Sequence, residues 1–222
     1  MSKPAELTCS ECGPLNCYRQ EKTYPPFCLT EAADEQQVAS VVDLLRGDNP
    51  DGRMARAAAE IEGLYYGKAT RVEEIVLFAK RIGAQRIGVA TCRGLIEEAR
   101  IFVKVLRAKG LEPYTVACKV GSVDKREIGV SEEARLQKDA YEAMCNPVLQ
   151  AQLLNAKKTE LNVLVGLCVG HDTLFIKHSA APVTTLIVKD RILCHNPAAA
   201  LYASNTYYKR LLEPEKESVT EP

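Results

Sequence analysis

Nine cysteines lie in this chain of 222 residues, and four of them, Cys9, Cys12, Cys17 and Cys28, fall in the pattern Cys-x2-Cys-x4-Cys-x10-Cys. Thiolates so close in sequence can surround one metal centre. Cys-x2-Cys presents two sulfurs through a tight turn, and two more complete a tetrahedron or hold the corners of a cluster. The spacing matches neither the standard zinc finger nor the standard ferredoxin run, so zinc and a [4Fe-4S] cluster both stand as readings of this site.

A second set is spread through the rest of the chain. Cys92, Cys118 and Cys168 each close a short apolar run, and Cys145 precedes Asn146-Pro147, where a helix start lowers a thiol pKa. If three of these four meet, they can hold a second iron–sulfur cluster with one iron open to substrate. The plainer reading, weighed for each position, is a small apolar residue at the end of a buried strand. Cys194 reads as packing alone. In Cys168-Val-Gly-His-Asp172, His171 is a candidate proton shuttle or ligand, and Asp172 either orients it or caps a helix. Lys119, beside Cys118, can supply a proton or fix an anionic group.

The elements that must carry these residues follow from periodicity. Residues 1–30 hold little that forms a core, and with Gly13, Pro14, Pro25 and Pro26 they read as a Cys-rich metal-binding segment ordered by its metal. Residues 31–212 read as one α/β domain. Apolar positions at helical spacing predict helices from Glu31 to about residue 46, over 53–66 and over 71–82, the last with Thr70 and Glu73 as a capping box. Short strands are predicted at Arg86–Thr91, Pro113–Lys119, Leu161–Leu167 and Val183–Val188. Helices are predicted over Leu95–Lys109, Ser131–Met144, from Pro147, near Thr173–His178 and from Pro197 to about Leu212. Alternating strands and helices predict a three-layer α/β/α Rossmann-like parallel sheet of about four or five strands, with ligands expected at the strands' carboxyl ends. Residues 213–222 read as a charged, disordered tail.

Lys plus Arg and Asp plus Glu number 29 each, so the formal charge is zero and neither a nucleic acid nor an anionic membrane is expected as partner. No stretch approaches the ~20 apolar residues of a membrane helix, and no secretory leader is evident. A cytoplasmic protein is expected, in which thiols serve as ligands, nucleophiles or packing rather than disulfides. GxGxxG, Walker A and Gly-x-Ser-x-Gly sequences are absent, which speaks against a nucleotide site or a serine hydrolase.

The N-terminal four-cysteine segment, taken with Cys118-Lys-Val-Gly121, Met144-Cys-Asn-Pro147, Gly166-Leu-Cys-Val-Gly-His-Asp172, Ala181–Arg191 and His195-Asn-Pro197, resembles a prokaryotic family of uncharacterised metal-binding proteins found in many anaerobes. The resemblance covers nearly the whole chain. It implies metal binding with Cys9, Cys12, Cys17 and Cys28 as ligands, and it implies no particular reaction. The leading expectation is an iron–sulfur protein with an N-terminal centre and a substrate-binding cluster on Cys92, Cys118, Cys145 and Cys168, served by a small-molecule ligand or redox partner. The alternative is a non-enzymatic small-ligand or metal-sensing protein with a structural zinc. A thiol enzyme using Cys145 or Cys92 as nucleophile and His171 as base is a third.

Overall fold

The computed structural model describes residues 6–19, 21 and 23–214. Two compact units divide the chain, residues 1–62 and 63–222.

The first unit has little interior. Two 3-10 turns, Cys9–Glu11 and Asn16–Tyr18, lead to α1 (Leu29–Ala32), α2 (Glu35–Arg46) and α3 (Pro50–Tyr65). Asp34 caps α2 by accepting from the Gln36 N–H, which divides the single helix expected here into α1 and α2. At its other end the Arg56 guanidinium donates to the carbonyls of Leu45, Arg46 and Gly47, groups that a helix terminus leaves without partners. Among the described residues of the α2–α3 pair, only Gly52, Ala57 and Ile61 are buried, all on α3. The apolar stripe Val38, Val41, Val42, Leu44 and Leu45 is 38–49% exposed.

The second unit contains α4 (Arg71–Arg81), β1 (Arg86–Thr91), α5 (Ile96–Ala108), β2 (Glu112–Ala117), α6 (Pro147–Ala156), β3 (Leu161–Val165), α7 (His171–His178), β4 (Val183–Ile187) and α8 (Ala198–Tyr202). The four strands form a parallel sheet in the order β2-β1-β3-β4, with Ala90 of β1 registered against Val116 of β2 and Leu164 of β3. Strand alternation sends Ile87, Val89, Val163 and Val165 to one face, where α4 and α5 cover them with Ile75, Val76, Ala79, Phe102 and Leu106. Ala90, Val116 and Leu164 point the other way, onto Ala151 and Leu154 of α6 and Phe175 of α7. The fold is therefore α/β with helices on both faces of the sheet. Each fully buried Leu or Phe of these layers contributes roughly 1.5–3 kcal/mol relative to exposure.

Two expected helices differ. Residues 131–144 form no helix. After a 3-10 turn at Lys125–Ile128 the chain returns antiparallel to itself, through the Asp124–Ala143 bridge, Met144 N–H to Val123 O (2.8 Å) and the Lys125–Glu142 ion pair (2.6 Å). The Glu142 carboxylate also accepts from the N–H groups of Leu136 and Gln137, donors a helix would have needed. Leu136 itself is 91% exposed, so the segment offers the sheet no apolar stripe, and helix propensity without docking is marginal. The closing helix ends at Tyr202. Ser204, Asn205 and Thr206 interrupt it, Thr206 Oγ1 donates back to the Ala203 carbonyl, and only a 3-10 turn at Lys209–Leu211 follows.

Candidate thiolate and metal centre

β1 lies inside the sheet with β2 on one side and β3 on the other. The chain thus leaves β1 in one direction and later crosses to the other, which opens a crevice beyond the strands' carboxyl ends. Cys92 directly follows β1, Cys118 follows β2, and Cys145 precedes the N-cap of α6. Backbone bonds tie the three positions together. Cys92 N–H donates to Val165 O (3.1 Å), Cys118 N–H to Thr91 O (2.8 Å), and Asn146 N–H to Cys118 O (2.7 Å). Asn146 accepts from the Leu149 N–H, Pro147 fills the first helical position, and α6 therefore starts at the trio.

Three of the four cysteines, Cys92, Cys118 and Cys145, lie beside one another. Cys118, 2% exposed, has Cys92 and Cys145, both half-buried, near enough for its S–H to donate to either one. The Arg93 backbone N–H also donates to its sulfur at 3.2 Å. That hydrogen bond from Cys118 pulls the Cys92 thiol down to about 5 against its partial burial, with the Gly94 N–H and the Lys189 ammonium helping. Cys145 is drawn down to about 5 in the same way, chiefly by Cys118 and then by the charges of Lys119 and His171. Cys118 moves in the opposite direction, because keeping its proton lets it donate to Cys145 or to Cys92, and burial disfavours its charge.

Cations close the surroundings. Lys189 reaches across Gly94, where a Cβ would stand 3.3 Å from its Nζ and 3.9 Å from Cys92 Sγ. Gly166, at the end of β3 with φ +69°, leaves room for the Leu95 side chain and the Lys189 stem. A Cβ there would overlap Leu95 Cδ1. Lys119 donates to Ala143 O at 2.5 Å while neighbouring Cys145. Beneath the trio, Gln150 of α6 is fully buried. Its amide donates to the carbonyls of Thr91 and Val116, which fixes the amide orientation and leaves Oε1 without a donor.

Other expected residues fall differently. Cys168 is half-buried after β3, and Arg191 donates to its sulfur at 2.9 Å; no hydrogen bond joins it to the trio among the described residues. Asp172 is not the cap of α7, a position taken by Gly170, and its carboxylate accepts from Thr173 rather than from His171. Cys9 and Cys17 are exposed, and Cys12 and Cys28 are half-buried. Cys9 opens its 3-10 turn behind a Thr8–Glu11 capping box. Among the described residues, no group of three or more His, Cys, Asp or Glu side chains is arranged so that it could hold a metal ion. Lys189, Arg93 and Gln150 are absent from the site residues that the sequence motifs point to. Lys189 carried a signal, following as it does the fourth apolar run; Gln150, one polar residue within α6, carried none.

Comparison with known proteins places these residues in a family. The profile of a family described as a protein of unknown function, DUF1847, matches residues 28–186. The chain belongs to the DUF1847 family. It is also 42% identical over 210 residues to the uncharacterized protein MJ0455 of Methanocaldococcus jannaschii, covering 93% of this chain and 99% of that protein. The DUF1847 match includes Cys28, the trio, Cys168, His171 and Asp172; Cys9, Cys12 and Cys17 lie before it. Among the described residues no helix is long and apolar enough to cross a membrane.

Proposed function

We propose that this DUF1847 protein is a metal-binding protein of the iron–sulfur type, whose working centre is built on Cys92, Cys118 and Cys145. The observation that carries the reading is the meeting of three thiols from three separate elements, ringed by Lys119, Lys189 and His171. The donor set suits the group. Thiolates select iron–sulfur clusters and zinc over harder cations, and nearby cations offset the negative charge that several thiolates bring. Cys168, on the next strand end, is the residue best placed in sequence to supply a fourth sulfur. A bound cluster would supply Lewis acidity or an electron; this chain supplies thiolate ligands, the Lys189 and Lys119 charges, and the His171 imidazole. Cys9, Cys12, Cys17 and Cys28 form the second metal site of the proposal, iron–sulfur or zinc. This site orders a segment with little apolar interior of its own.

Purification without oxygen, followed by iron, sulfide and zinc analysis with an absorption spectrum, tests this directly. The expected protein is brown, with iron and sulfide that fall in Cys118→Ala while any metal on the N-terminal cysteines stays. Metal content unaffected by Cys118→Ala sinks the assignment of the trio.

A second reading follows from the direct thiol-to-thiol contacts. With Cys92 and Cys145 both drawn toward thiolate and His171 beside Cys145, the site has the makings of thiol chemistry without metal. A colourless, metal-free protein in the same experiment selects it.

A further inference from the structure

A cleft of about 490 Å³ opens beside the trio, lined by Arg93, Lys119, Leu136, Gln137, Tyr141, Glu142 and Ala143. Its wall draws on the neighbourhood of each cysteine: Arg93 follows Cys92, Lys119 follows Cys118, and Ala143 lies two residues before Cys145. Pockets of 300–1,000 Å³ are the usual size for small-molecule sites, so the cleft is large enough for a ligand of modest size.

The charges in this cleft are unevenly committed. Glu142 is occupied by the Lys125 ammonium and by the N–H groups of Leu136 and Gln137, so its negative charge is answered within the loop. Lys119 donates to Ala143 O. The guanidinium of Arg93 makes no hydrogen bond or ion pair among the described residues, although its own backbone N–H is fixed on the Cys118 sulfur. An unpaired guanidinium in a cleft is a two-pronged receptor for a planar oxyanion. The same lining includes apolar surface from Leu136 and Tyr141, the latter with its hydroxyl hydrogen-bonded to Ser122 Oγ at 2.8 Å.

We propose that this cleft binds a small organic carboxylate, held by the Arg93 guanidinium with its carbon body on Leu136 and Tyr141, so that its other end lies toward the thiols. That the bound acid is a substrate rests on the thiolate centre proposed above; that it binds does not.

Calorimetric titration of the full chain with benzoate and with inorganic phosphate, before and after chelator treatment, tests the proposal. Saturable benzoate binding is expected, weakened at least tenfold in Arg93→Gln and unchanged in the control Arg100→Gln on α5. Arg93→Gln keeps the backbone N–H on Cys118, and a thermal melt checks that it folds. Benzoate binding that survives Arg93→Gln, or no saturable binding, overturns the proposal; tight phosphate binding without benzoate binding overturns the carboxylate assignment. Arg93-dependent benzoate binding by a protein that already carries no iron or zinc as purified without oxygen sinks the metal reading and leaves this one standing; binding that persists after chelator treatment leaves both standing.

Discussion

Cys118 carries one proton and has two neighbours that draw on it. A single S–H donates to one acceptor at a time, so in the metal-free, reduced protein the trio accommodates one thiolate readily and a second only through Lys189 or Lys119. The lowered values for Cys92 and Cys145 mean that thiolate is present above about pH 5 and is lost as pH falls through that value. Iodoacetamide at about pH 6.5 is therefore expected to alkylate Cys92 or Cys145 first and Cys118 last, read by peptide mass spectrometry. In Cys118→Ala the donor is gone and the pH at which Cys92 and Cys145 react moves upward. Labelling of Cys118 ahead of both contradicts this arrangement. At this scale the sequence was informative about the cysteines, because strand ends converge in a parallel sheet. It was silent on Arg93 and Gln150, whose importance comes from partners far away in the chain.

α6 couples local capping to the site. Asn146 and Pro147 are a helix start that sequence alone reveals, and the structure hangs Cys145 on that start. Asn146→Ala removes a cap and should lower stability by about 0.5–2 kcal/mol. The variant should also loosen Cys145, so that its fast alkylation slows even where a denaturant melt shows the protein folded; unchanged labelling would detach the cap from the thiol. β1, β3 and the α4 capping box were equally legible, since a local signal and a buried face agree there. Residues 131–144 show where that agreement fails: the composition favours a helix, yet Glu142 pairs with Lys125 and the loop's own backbone, and Leu136, Gln137, Tyr141, Glu142 and Ala143 of the loop line the cleft.

The two units differ in how much they bury. β1 and β3 are covered on both faces, whereas the described residues from 6 to 46 include none that is buried. Local opening follows burial, so hydrogen exchange should be slowest at Ile87–Thr91 and Leu161–Val165 and at least tenfold faster across 35–46. Mass spectrometry of exchanged peptides checks the ranking, and protection of 35–46 equal to that of β1 would show that the first unit is buried in solution. The strand order has a kinetic corollary. Cys92, Cys118 and Cys145 approach one another only when β1 has paired with β2 and α6 has docked, contacts that close long stretches of chain and form slowly. The trio therefore cannot template folding as a zinc finger's ligands do. On the proposal of a metal at the trio, that metal must be delivered to a finished sheet, whereas the four cysteines between residues 9 and 28 are near enough in sequence to capture one while the rest of the chain is still unfolded.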